Sequence, residues 1–385
     1  MNLQKNFFKI LCRYKEQWLI YFFINIIFVY KYISRTSYSP FVGITLFTLI
    51  FLLTIFFLSI LSILPNKKKS IIKKLLFIIL LFSTILILFL LHIINPLSVN
   101  VDRWSATTYF LDGLFSGIYP YGIHTHVCET NYPSPFPLWH YINILFWSLG
   151  DVGLGNIAFL LLYAYIIYSF SKSYSKSLFA IILLLISPAY WWEIIVRSDG
   201  LSNSILIFSI ILAMEMKQIS FQKHWLLCAI ICGMVASTRF SAIIPMAIYL
   251  TSSFFRNSLL RQLNIIIIIL SVVLFFFLPY IFWDTQDWIF FNRNPFMSQT
   301  STGNIYILLV MIIITLTIAL NCKKISQYTR CISCFMVFFF FVSLIYNYLK
   351  YHSNISFLDD PDFDISYFSL ALPYCLFNIT NVIKQ

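Results

Sequence analysis

Long apolar runs alternate with short polar connectors along almost the whole chain. About 20 apolar residues cross a bilayer as a helix, and on that scale the runs at 17–35, 41–64, 75–95, 153–170, 177–192, 200–216, 262–283, 304–321, 331–349 and 366–382 read as spans. The segment 225–254 admits two readings. As one long helix it would put Arg256, Arg261, Lys323, Lys324 and Arg330 outside and the acidic stretch 359–364 in the cytoplasm. As two short helices joined by a polar turn at Ser237, Thr238 and Arg239 it keeps the bases inside, which the positive-inside rule favours. The pattern therefore predicts an all-α, polytopic transmembrane helical protein of about twelve spans, with both termini cytoplasmic.

The stretch from Pro96 to Val152 breaks this pattern. The cluster Lys67, Lys68, Lys69, Lys73 and Lys74 fixes the 75–95 span as outward-going, so 96–152 becomes a long exterior loop. Loops of this length are usually functional. Within it, "NYPSPFPLWHYINILFWSLGD" (131–151) couples a proline-punctuated entry to an aromatic run too short to cross. Trp139, Tyr141, Phe146 and Trp147 suit a membrane–water interface, so a helix along the outer surface is expected there. A short buried span is the alternative. The domain organisation expected is a two-span region at 1–74 with its cytoplasmic basic loop, followed by a transmembrane core at 75–385.

Composition supports the class. The chain is 60% hydrophobic and 10% charged, with mean hydropathy +0.85, values of a bilayer protein rather than a soluble domain. A basic start (Lys5, Lys9, Arg13, Lys15) leads into the run from Trp18 without a small-residue cleavage site, so that run is expected to stay as a signal anchor. The net charge of +12 sits in short clusters between apolar runs, which is topology and not a nucleic-acid surface. Of the eight cysteines only Cys128 falls in an expected exterior loop, so no exported disulfide is available. The Cys331/Cys334 pair has no second pair beside it and reads as packing.

Ionisable residues gather towards one face: Asp102 and Arg103, Glu193, Arg197 and Asp199, Arg239, then Asp284, Asp287 and Arg293. Charged groups at membrane depth are costly and mark function by default. Two helices of about 13 residues rise only about 20 Å, so Arg239 at their turn lies below the surface and needs an anionic partner. A lipid phosphate, matched to the guanidinium fork, and an internal carboxylate are both available. Asp102 follows the third span closely and is placed to act as a general base; pairing with Arg103 or capping the next helix are its bland alternatives. His124, His126 and Glu129 offer a weak divalent-metal set.

Three elements of the loop, in order, resemble the GT-C superfamily of polytopic membrane glycosyltransferases, the polyprenyl-phosphate-sugar-dependent, mannosyltransferase-like enzymes. Asp102 matches that superfamily's aspartate after a span, Gly117–Tyr121 its "G-x-x-PY"-like element, and Tyr132–Leu138 its "YPP-L"-like element opening a membrane-surface helix. "SPAYWWEIIVRSDGLSNSI" and "GMVASTRFSAIIP" are similar to its later exterior turn and its short hairpin with a basic tip. Ser134 stands where a second proline is usual, two additional spans precede the aspartate, and "ISYFSLALP" lacks an arginine often found at its equivalent.

The resemblance implies a membrane glycosyltransferase that moves one sugar, with inversion, from a polyprenyl-phosphate donor to a glycan or glycolipid at the outer face. It implies Asp102 as catalytic base, with Asp112 and Asp199 as secondary acid/base or acceptor-positioning groups. Arg239, Arg293 and Arg197 would bind the donor phosphate, and Arg103, Trp104, Tyr121, His124, His126 and Tyr132 would form the substrate loop. Partners are the lipid-linked donor, the acceptor and membrane lipids, in a setting expected to be a bacterial cytoplasmic membrane. A surface-polysaccharide polymerase or ligase, a lipid flippase or transporter, and a non-catalytic scaffold are the rival readings.

Overall fold

The computed structural model describes residues 14–61, 69–300, 304–351 and 364–381. Among them every regular element is helical and there is no strand. In chain order the helices are α1 (Lys15–Ile33), α2 (Pro40–Leu61), α3 (Lys69–Ile93), α4 (Arg103–Ser116), α5 (Pro137–Ser148), α6 (Leu154–Ser171), α7 (Tyr174–Ile186), α8 (Pro188–Ile195), α9 (Gly200–Met216), α10 (Trp225–Ala236), α11 (Ile243–Phe255), α12 (Leu259–Trp283), α13 (Thr285–Ile289), α14 (Pro295–Thr300), α15 (Ile305–Leu320), α16 (Ile325–Tyr351) and α17 (Leu372–Thr380).

Five described helices, α2, α3, α6, α12 and α16, are long and apolar enough to cross a membrane, and a sixth span results if α7 and α8 count as one. That is fewer than the twelve crossings expected. The apolar runs at α9, α10, α11 and α15 do form helices, but of 10–17 residues, and 17 residues rise only about 25 Å against a hydrocarbon core of roughly 30 Å. The run at 17–35 folds as α1 but is not among the long apolar helices, and it carries buried Gln17, Asn25 and Lys31. The run at 177–192 is bent by 70° between α7 and α8. Ser187 is extended there (ψ 115°) because Pro188 disfavours the helical region for the residue before it. At 225–254 two short helices with a break at Ser237–Arg239 are found. Lys5, Lys9, Arg13, Lys67, Lys68, Asp359, Asp360 and Asp362, which bear on the expected topology, lie outside the described residues.

The chain clusters into two compact units interleaved in sequence. The first comprises Met1–Ile87, Leu160–Glu193 and Lys324–Gln385. Within it α1 packs against α2, α16 and α17, and α17 also against α7. Trp18, Tyr21 and Phe28 are buried there, and Phe51 of α2 stacks on Tyr21 at 5.8 Å. Polar groups in this core find one another. Gln17 Oε1 accepts from Ser333 Oγ (2.7 Å) and Asn378 Nδ2 (3.4 Å), while Thr329 Oγ1 donates to Asn378 Oδ1 (2.9 Å). Such pairing is what an apolar surrounding demands of a buried amide.

The second unit comprises Leu88–Phe159 and Ile194–Lys323 and holds most of the sequence-predicted site. Its most extensively packed helix pair is α10 on α12. Gly233 makes that approach possible, because a Cβ there would lie 2.6 Å from Val272 Cβ. Helix α4 packs on α5, and an aromatic core of Phe110, Tyr121 and Tyr280 forms beneath Trp147 and Trp288.

Candidate active site

The proline-punctuated stretch is explained by its backbone. Pro137 occupies the first turn of α5, where no amide donor is needed. On either side, Phe136 N donates to Thr238 O (3.0 Å) and Leu138 N to Ser237 O (3.1 Å), so the start of α5 is bonded to the hairpin turn. The Pro135 carbonyl accepts from Tyr121 Oη (3.1 Å) and His140 Nε2 (3.1 Å). Gln299 of α14 joins the same two segments, accepting from Phe240 N (2.8 Å) and donating to the Ser134 carbonyl. One side of α5 is embedded through Trp139, His140 and Asn143, whereas Leu145 and the following Leu149 are exposed.

That junction brings Arg239 to Asp199. Both side chains are buried and form an ion pair, so of the two anions weighed for Arg239 the structure supplies the internal carboxylate. Burial by itself would raise the Asp199 carboxyl. The guanidiniums of Arg239 and then Arg103 outweigh it and hold the group below the usual carboxylate range.

Arg197 is equally committed. Its Nε donates to Asp151 Oδ2 (2.7 Å) and its Nη2 to the carbonyls of Leu91 (2.7 Å) and Ile94 (3.0 Å). The contact caps the last turn of α3, whose carbonyls have no helical partner. Asp151 Oδ1 meanwhile accepts from Gly153 N (2.8 Å). The clamp requires Arg197 to sit in the left-handed region at φ 53°, a conformation that costs a non-glycine residue about 1 kcal/mol.

Arg293 differs from the other two. Its Nη1 reaches Asp287 Oδ1 and Oδ2 (3.1 and 3.2 Å), but its side chain remains 33% exposed. The guanidinium lies 5.4 Å from the Tyr132 ring and 5.3 Å from that of Phe291, and Tyr132 is 4.9 Å from His124. Thr125 N bonds to Asn131 O (2.9 Å), closing the loop that carries both rings.

Asp102 stands at the N-cap of α4 without capping it. Its backbone is near-helical (φ −80°, ψ 0°) rather than extended, and an extended backbone is what lets a cap side chain reach the first amides. The half-buried carboxylate makes no hydrogen bond or ion pair with another described residue. Beside it, Ser105 Oγ lies 2.6 Å from His126 Nδ1, and His126 Nε2 donates to Val99 O (3.1 Å). His124 and His126 are thus turned to different partners, and no group of three His, Cys, Asp or Glu able to hold a metal ion occurs among the described residues.

The remaining predicted residues have structural partners. Asp112 Oδ1 accepts from Trp147 Nε1 (2.9 Å). Trp104 packs edge-on to Tyr109 and against the aromatic core. Tyr121 is fully buried, and burial pushes its hydroxyl well above the usual range. Sequence reading passed over His140, Asp151 and Gln299. His140 stacks on Phe110 at 3.6 Å, and burial pushes it down to about 3, so it is neutral with its proton on Nε2. Only Asp151 left a local signal, the Gly150-Asp151-Val152-Gly153 turn.

No model of a known protein family, no characterised protein and no solved structure matches the chain.

Proposed function

We propose that the protein is a multi-pass membrane glycosyltransferase of the GT-C type, transferring a single sugar from a polyprenyl-phosphate donor to a hydroxyl of a glycan or glycolipid at the outer membrane face. The observation that carries this reading is the uncommitted Asp102 carboxylate, in a unit whose other deep carboxylates, Asp151 and Asp199, are each held by an arginine. A base needs a free oxygen within reach of the proton it takes. Asp102 removes the acceptor's hydroxyl proton as that oxygen bonds to the anomeric carbon, and the carbon–oxygen bond to the phosphate breaks with its electron pair leaving on the phosphate. One displacement inverts the carbon.

The leaving phosphate gains negative charge, which a fixed cation stabilises. All three arginines pair with a carboxylate, but Arg197 and Arg239 do so with buried side chains, so the role falls to Arg293, the most exposed of the three. Tyr132 and Phe291 beneath its guanidinium hold that cation in place.

The test compares lipid-linked and surface glycans by mass spectrometry in cells with the wild type, a deletion, or Asp102→Asn, with protein abundance matched. A glycan short by the same single sugar in both altered strains supports the reading. Wild-type glycans with Asp102→Asn would remove Asp102 as the base, and loss of a whole oligosaccharide block would replace the transferase with a polymerase or ligase.

A further inference from the structure

A narrow polar cleft within the second unit is lined by Trp139, Asn143, Asn156, Arg197, Asp199 and Ser202, among others, and has room for about one water-sized group. Two of these side chains bring buried N–H donors with no partner among the described residues: Trp139 Nε1 and Arg197 Nη1. Trp139 is 1% and Arg197 4% exposed. Two neighbouring side chains donate to another side chain or to backbone. Ser202 Oγ donates to Asn156 Oδ1 (2.7 Å), and Asn143 Nδ2 to the Trp139 carbonyl (2.8 Å).

Charge decides what those donors accept. Arg197 is balanced by Asp151 and Asp199 by Arg239, so the cleft is electrically neutral. An anion entering it would meet the Asp199 carboxylate, and a cation would meet the remaining N–H groups of Arg197. A neutral oxygen avoids both and satisfies two donors that burial otherwise leaves unmet. One wall is aromatic, with Trp139 stacked on Phe159 at 5.5 Å. An aromatic wall beside hydrogen-bond donors suits a group with an apolar C–H face and a hydroxyl.

We infer that this cleft seats one neutral hydroxyl-type oxygen, supplied by a carbohydrate or by an ordered water, between Trp139 Nε1 and Arg197 Nη1. The carbohydrate source rests on the transferase reading; the neutral one-oxygen chemistry rests on the cleft alone.

The test uses the full-length protein in lipid nanodiscs with its nine tryptophans labelled with nitrogen-15 at the indole. The Trp139 signal is identified by its loss in Trp139→Phe, which keeps a ring against Phe159. Should that variant fold poorly, Ser202→Ala identifies the signal by its displacement, since Ser202 lines the same cleft. Methyl α-mannoside and methyl β-glucoside are titrated into the millimolar range. A saturable shift of the Trp139 N–H signal, absent in Arg197→Lys, establishes the sugar source. No shift with either glycoside, together with a magnetisation-transfer peak to a long-lived water, establishes the water source and removes the carbohydrate. Absence of both responses overturns the one-oxygen site. Binding here needs no donor and no turnover, so a null result is separate from failure of Asp102 as the base.

Discussion

The two compact units differ in how their most connected buried polar groups are held. The first ties α1, α16 and α17 with neutral amides and hydroxyls, and both donors to Gln17 Oε1 have a second bond in reserve: Ser333 Oγ to Arg330 O (3.0 Å) and Asn378 Nδ2 to Tyr374 O (2.9 Å). The second uses full charges, Arg197 with Asp151 and Arg239 with Asp199, and leaves the Asp102 carboxylate without a partner among the described residues. A redundant neutral network tolerates the loss of one member. A buried ion pair does not, because the survivor is an uncompensated charge. The first arrangement suits a scaffold and the second a site.

The sharpest contrast comes from Asp102→Asn. The substitution should lower sugar transfer by roughly 10²–10⁴-fold, the usual contribution of a general base, with an unchanged melting temperature because the carboxylate bonds to no described residue. A melting temperature several degrees lower would make Asp102 structural and collapse the contrast between the units.

Arg239→Ala comes next. It strands Asp199 and should destabilise the second unit by about 3–5 kcal/mol, read by chemical denaturation of the detergent-solubilised protein. Replacing both partners with apolar residues should recover most of that loss. If Arg239→Ala were as mild as a neutral substitution, the charge would not be what distinguishes this unit.

His140 supplies a pH dependence. Its folded form is pushed down to about 3 while an unfolded histidine titrates near 6.5, so between those values protons bind the unfolded chain preferentially. Stability from this residue is fully present at pH 7 and is lost as pH falls from about 6.5 towards 3, by up to about 1.4 kcal/mol per pH unit. Melting temperatures measured across that window should fall less steeply in His140→Phe than in the wild type. Asp199 adds acid lability of the same sign at lower pH, as its depressed carboxyl is finally protonated.

The smallest effect belongs to the first unit. Gln17→Ala should cost about 1 kcal/mol or less, in line with hydrogen bonds between membrane helices, and should leave transfer per folded molecule unchanged. A loss as large as that of Arg239→Ala would show that the neutral network is no more tolerant than the charged one.

Much of the layout was legible in the chain. The break at Ser237–Arg239 followed from where the bases fall on either side of it, and the helix after Pro135 followed from proline spacing and its aromatic run. The twelve-span count was the weak inference. Apolar runs such as 200–216 and 304–321 read as spans by hydropathy, while their helices are of 17 and 16 residues, at the short end for a crossing, and hydropathy does not report where a helix stops. The site was legible as a set of residue types and not as a set of pairs. Arg197, Arg239 and Arg293 are indistinguishable in a sequence, but only Arg293 keeps a third of its side chain exposed.

By itself the sequence determined that this is a helical, membrane-type chain, with its break at the Arg239 turn and its odd helix at 137–148, because apolar run length and proline chemistry act over a few neighbouring residues. Only the tertiary structure decided that Asp151 serves Arg197, that Asp199 serves Arg239 and that Asp102 serves neither. Those partners are about 40 residues apart in the chain or more. Which carboxylate reaches which guanidinium depends on the packing of the helices between them, which no local pattern encodes.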